Sequence, residues 1–139
     1  MKFVNAILFL FVTLICVSAQ TVKSPDGRIV LDFKLADGGV PTYSLKFGEK
    51  TVVGAITDEN SRTASFSLDF LAPNKEYLAT IYSDGADAQW DRNPSVYKID
   101  KYIVTNGTKL KLLLAEGGGA AVSIVPATTV DLRIYNRKK

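Results

Sequence analysis

The sequence predicts an all-β protein, an antiparallel β-sandwich of about eight to ten short strands after a cleaved signal peptide. Three observations predict it. Apolar and polar residues alternate with the two-residue period of a strand: Phe66, Leu68 and Phe70 against Ser67 and Asp69, and Leu110, Leu112 and Leu114 against Lys109, Lys111 and Leu113. Turn formers punctuate these runs at Pro73-Asn74, Asp84-Gly85, Asn93-Pro94, Asn106-Gly107 and Gly117-Gly118-Gly119. After residue 19 no stretch repeats with helical periodicity.

Residues 1–19 read as an address. Lys2 supplies a positive start, an apolar run from Phe3 to Val17 is broken only by Asn5 and Thr13, and Val17-Ser18-Ala19 places small residues before Gln20. The run is shorter than the roughly 20 residues of a spanning helix. Cleavage after Ala19, export to the periplasm or the exterior, and no membrane span in the mature chain are therefore expected. Lipid anchoring at Cys16 is disfavoured, because Ile15 is bulkier than a lipoprotein signal takes at that place.

Residues 20–53 read as a meander. Ser24-Pro25-Asp26-Gly27 is a turn in which proline fixes φ and glycine accepts a positive one. Ile29, Leu31, Phe33 and Leu35 then alternate with Val30, Asp32 and Lys34 as a half-buried strand. Asp37-Gly38-Gly39 reverses the chain into Tyr43, Leu45 and Phe47, and Gly48-Glu49 leads into Thr51-Val52-Val53. Alone, this meander would leave one apolar face uncovered, so its strands are expected to join the sheets that follow.

The polar stretch 54–62 is the expected seam. Strands are expected near 63–71, 76–83, 95–105, 109–115 and 120–125, in a sandwich spanning 54–126. Val130, Leu132 and Ile134 alternate as a final strand, and a basic tail, Asn136-Arg137-Lys138-Lys139, is expected to be exposed. The stretch 20–139 as a whole is expected to form one compact unit.

Composition excludes several chemistries. The chain has no histidine and a single cysteine, Cys16, within the leader. Triads with a histidine base, thiolate nucleophiles and His- or Cys-ligated metals are thus out of reach after cleavage. An exported chain without disulfides rests on packing alone. The net charge of +3 loses one with Lys2, leaving +2, and the lysines alternate along strands instead of clustering. Nucleic acid is not an expected partner.

The densest acidic group is Asp84, Asp87, Asp91 and Asp100. Glycosidases use paired carboxylates, but a general acid needs an enclosed apolar pocket, and SDGADAQWDRNP is a short polar loop. It also lacks the spacing of a calcium loop. Trp90 within this loop and Tyr82 just before it are the candidate carbohydrate contacts, because sugar C–H faces stack on exposed rings; the opposing reading has the indole capping the end of the core. Gly117-Gly118-Gly119 precedes a strand, not a helix, so a hairpin turn is expected there in place of a phosphate cradle. Asn106-Gly107 reads as a hairpin turn as well. No catalytic residue, cofactor or metal ligand is assigned.

From residue 54 to 124 the chain resembles the C-terminal domain of glycoside hydrolase family 97. GAITDENSR, SFSLDFL, YLATIYSDGADA with NP and a tyrosine following, and EGGGAAVSI carry the likeness. The earlier piece, SPDGRIVLDFKLADGGVPTYSLKFGEKTVV, resembles the start of the same family's N-terminal domain. The resemblance implies a two-sheet sandwich associated with oligomerisation. It also implies that the family's β/α barrel, its catalytic carboxylates and its calcium ligands lie in the part missing between the two pieces, so no position here inherits such a role.

The function expected is therefore that of an exported, non-catalytic module linked to carbohydrate metabolism, pairing with itself or with a full-length family 97 relative. A free-standing carbohydrate-binding module is one alternative. A remnant of an α-glucosidase or α-galactosidase-type enzyme without function of its own is another.

Overall fold

The computed structural model describes residues 20–138; the expected signal peptide and Cys16 lie outside them. Nine strands follow in order: β1 (Gln20–Lys23), β2 (Ile29–Leu35), β3 (Pro41–Phe47), β4 (Lys50–Ile56), β5 (Arg62–Ser67), β6 (Tyr77–Asp84), β7 (Tyr97–Val104), β8 (Lys109–Leu114) and β9 (Gly119–Pro126). They form an antiparallel seven-stranded sheet in the order β1-β2-β3-β4-β9-β6-β7, with β5-β8 as a separate pair. This matches the all-β class and the strand number read from the sequence.

The meander is built as read as far as Val53, but β4 runs on to Ile56, so the start of the polar stretch 54–62 is strand and not connection. In the first turn, Gly27 at φ 68° donates its N–H to the Ser24 carbonyl at 2.8 Å. Gly38 and Gly39, both at φ 75°, reverse the chain between β2 and β3. The meander then joins the rest through β4, which pairs with β9 from Thr51↔Ile124 to Ile56↔Gly119.

The core lies between the β5-β8 pair and the inner face of β4, β9 and β6. Leu68, Leu110, Leu114, Val53, Val122 and Ile124 are fully buried there. Truncating one such leucine to alanine typically costs about 2–5 kcal/mol. Alternation in β8 is as expected: Leu110, Leu112 and Leu114 are buried, Lys109, Lys111 and Leu113 exposed. At the end of β5 it breaks. The chain turns, with Leu71 N–H on the Leu68 carbonyl at 3.0 Å, so Leu71 takes the buried place expected for Phe70, which is 46% exposed.

Two turns differ from the hairpins expected. β7 and β8 belong to different sheets, as do β8 and β9. Asn106-Gly107 and Gly117-Gly118-Gly119 therefore carry the chain from one layer to the other. Thr108 closes the first corner, its N–H bonding the Thr105 carbonyl at 3.1 Å while its hydroxyl accepts the Thr105 N–H at 3.0 Å.

The end of the chain also differs. The expected final strand is a single helical turn, α1 (Asp131–Ile134). Thr128 and Asp131 close it reciprocally: the Asp131 carboxylate accepts the Thr128 N–H and hydroxyl at 2.8 and 2.6 Å, and the Asp131 N–H reaches the Thr128 hydroxyl at 3.2 Å. Such a box satisfies donors that a helix start leaves free, and it outweighs the alternation of Val130, Leu132 and Ile134. Asn136 and Arg137 of the tail are exposed, yet the tail is tied down. Asn136 accepts the Ile103 N–H, and Lys138 donates its N–H to the Ile103 carbonyl, each at 2.9 Å along the outer edge of β7. Lys138 also stands over the Tyr102 ring at 4.4 Å.

Candidate functional site

Three places on this frame can meet a partner. The first is an open groove of about 630 Å³ between β6, β7 and β8, lined by Asp84, Asp87, Lys98, Asp100, Lys111 and Glu116 among others. It gathers three of the four acidic residues singled out in the sequence, but not Asp91. Each carboxylate already has a partner. Asp84 accepts the Ala115 and Gly119 N–H groups at 2.8 and 3.0 Å through one oxygen. Asp87 accepts from Asn93 at 2.9 Å, Glu116 accepts from Gln89 at 2.9 Å, and Asp100 stands 3.5 Å from the Lys98 ammonium. The groove is open and mixed in charge, unlike the enclosed apolar setting that readies a carboxyl as a general acid. Among the described residues, no three or more acidic groups gather where they could hold a metal ion. Nor is any helix there long and apolar enough to cross a membrane.

Asp84 is a structural clamp that the sequence did not disclose. A carboxylate that accepts two backbone N–H groups fixes a corner by charge-assisted hydrogen bonds. Here it ties the end of β6 to the turn between β8 and β9. A Cβ on Gly118 would collide with the same carboxylate.

The second place holds Trp90 and Tyr82, which the structure puts on different surfaces. Trp90 lies in the β6–β7 loop, its N–H on the Glu116 carbonyl at 3.3 Å. Its side chain stands on Gly117, where an added Cβ would come within 2.6 Å. The residue is 60% exposed, so it does not cap the core as the opposing reading had it. Tyr82 sits between Ile81 and Ser83, which line the groove, and so points to the other face of the sheet. There it is level with Ala121 of β9 and Ile99 of β7.

The third place is that outer face, farthest from β5 and β8. Register sets one row straight across the sheet: Phe33, Tyr43, Gly54, Ala121, Tyr82 and Ile99. A parallel row carries Val22, Leu31, Leu45 and Val52. Ile29 and Phe47 make a third pair. On β1 to β3 the inner face is the polar one, with Thr21, Asp32 and Ser44 leading to the buried Val53. The sheet thus changes its apolar side part-way across. The meander joins the large sheet as expected, yet its apolar face stays uncovered. Phe33 and Phe47 are 46% and 53% exposed. Alternation marked these residues as sharing one face, but not which face the second layer would cover.

The family description "Glycosyl-hydrolase 97 C-terminal, oligomerisation" matches residues 29–125, from β2 to β9, and so takes in the stretch 29–53 that the sequence likened to the start of the family's N-terminal domain. The chain belongs to this family. It is 36% identical over 99 residues to the retaining α-galactosidase of Bacteroides thetaiotaomicron, a match that covers 71% of this chain and 14% of that enzyme. Among solved structures it is similar to a glycoside hydrolase family 97 enzyme from Pseudoalteromonas sp. strain K8 in complex with acarbose, and to a variant of that enzyme in complex with panose. Each is 34% identical at a TM-score of 0.65, over 70% of this chain and 16% of theirs. The family 97 domain described here thus spans about one seventh of the length of the relatives it matches.

Proposed function

We propose that this family 97 domain is an exported, non-catalytic module of carbohydrate metabolism that associates with a second copy or with a full-length family 97 relative. One observation carries this reading: the match covers the C-terminal part of the family, described by oligomerisation, and that part is 14–16% of the relatives' length. The groove supports it too, because its carboxylates are spent on backbone and side-chain donors. Sedimentation velocity over a concentration series tests association, with and without a full-length relative. A species that grows with concentration, or a complex with the relative, is expected. A strict monomer that ignores the relative overturns the reading. Release of nitrophenol from aryl glycosides by the purified chain would overturn the non-catalytic part.

A second reading, carbohydrate binding, is favoured by the exposure of Trp90 over a glycine turn. An exposed indole offers a flat apolar face with a polar edge. Retardation in gels containing α-glucans or galactosides, lost in Trp90→Ala, would support it; normal migration across the panel would remove it.

A further inference from the structure

We infer that the outer face of β1, β2 and β3 is the surface through which two copies of this chain pair, sheet against sheet about a twofold axis. The inference rests on the association reading above and names its surface.

Val22, Ile29, Phe33, Leu35, Tyr43 and Phe47 each leave between 37% and 60% of their surface in water, and register places them side by side. With aromatic side chains of roughly 150–250 Å² and aliphatic ones somewhat smaller, they leave on the order of 500 Å² of contiguous apolar surface. That is at the upper end of the roughly 300–600 Å² patch of an ordinary monomer. It is also more than half of the ~800 Å² per partner of a standard interface.

The composition of the face selects the occupant. On β1 to β3 it bears no charged side chain; Lys23, Asp32, Lys34 and Lys46 all belong to the opposite face. The charge nearest to it is Lys50 of β4, beside Phe47 at the margin of the patch, so a charged partner would find little to pair with. A sugar chain would find few hydrogen-bonding groups for its hydroxyls, since Gln20 and the Tyr43 hydroxyl are the main polar side chains there. A flat, uncharged, apolar sheet face fits best against another of its kind. A twofold axis supplies one, because the same patch then serves both partners. Sheet faces pack about 10 Å apart with side chains interdigitated, and the protruding Phe33 and Phe47 suit such a spacing. The second copy supplies the missing cover for β1 to β3 that β5 and β8 supply elsewhere.

The test uses the full chain, with its processed N-terminus read by mass spectrometry. Sedimentation equilibrium compares the wild type with Phe33→Lys/Phe47→Lys, and with Lys34→Glu on the other face of β2. Pairing is expected to weaken at least about a hundredfold in the double variant and to persist in Lys34→Glu, with an unchanged β-sheet circular dichroism spectrum in all three. A measurement without substitution runs alongside. A soluble paramagnetic agent is expected to broaden the Phe33 and Phe47 ring signals in dilute protein and spare them in concentrated protein. Assembly that survives the double variant, or rings that broaden equally at both concentrations while the protein associates, overturns this surface and leaves the association reading standing. A wild type that stays monomeric and ignores a full-length relative overturns both.

Discussion

Tyr43 lays its ring across Gly54, so close that a Cβ on the glycine would lie 2.5 Å from the ring carbons. The two are direct partners in the β3–β4 ladder, and the ring lies on the outer face of the sheet. Only hydrogen at position 54 leaves it room. Because the obstructing atoms are the far end of a half-exposed side chain, Gly54→Ala is expected to displace the ring at little cost. Stability should stay within about 1 kcal/mol, since the strand also gains from losing a flexible glycine. Self-association should weaken nonetheless, because the displaced ring disturbs the row it shares with Phe33. Thermal melting and sedimentation on the same sample separate the two effects.

Asp84 bonds two backbone N–H groups through one oxygen. Asp84→Ala leaves both donors at the β8–β9 corner without that partner and is expected to destabilise the protein by about 1–3 kcal/mol. Asp84→Asn keeps an acceptor oxygen and should cost less. Urea denaturation checks the order of the two variants.

Asp131 is held below the ordinary aspartate value of 3.8, first by the Thr128 hydroxyl and then by the Thr128 backbone N–H. The Ser24 hydroxyl and Arg28 lower Asp26, and the Asn60 backbone N–H is the main cause for Asp58. With pKa values lower in the folded state, the unfolded chain takes up protons first as pH falls. The stability these groups add is complete above the unfolded value and is lost as pH drops through the folded ones. Melting temperature should therefore fall on acidification below pH 3.8. Thr128→Ala should move the Asp131 titration, followed by carboxyl NMR, upward toward 3.8.

Trp90 is the single tryptophan of the chain and stands on Gly117. Its fluorescence should be quenched readily by acrylamide. Trp90→Ala should change stability by less than about 0.5 kcal/mol, as surface substitutions do. Gly117→Ala should cost more, because the glycine holds φ at 67° and the new Cβ would press on the indole. Protection from acrylamide by an α-glucan or galactoside would mark the indole as a sugar contact.

Much of the fold was legible because local signals agreed with the final packing. In β8, Leu110, Leu112 and Leu114 face a second layer, so alternation and burial coincide. In β2, Ile29, Leu31, Phe33 and Leu35 alternate just as cleanly, yet the layer lies on the other side. Period two reveals that a strand has two faces and is silent on which one a distant segment will cover. The corners at Asn106 and Gly117 looked like hairpins for a related reason: turn chemistry does not say whether the next strand returns to the same sheet. The helical turn was readable in principle. Thr128-Thr129-Val130-Asp131 is a capping pattern, but Val130, Leu132 and Ile134 also alternate, and alternation alone predicts a strand. Among site residues, Asp84 stands out in the sequence by its charge, but its partners lie 31 and 35 positions onward and no local pattern announces them.

The backbone bonds from Asn136 and Lys138 to Ile103 occupy one end of the rim of the large sheet at β7. Among the described residues, the rim beyond β1 has no neighbour. The rest of the β7 rim, from Tyr97 to Lys101, carries no such bonds among the described residues. A strand added along β7 would meet the tail before it reached Val104, so three residues at the end of the chain shorten the stretch on which another molecule could build.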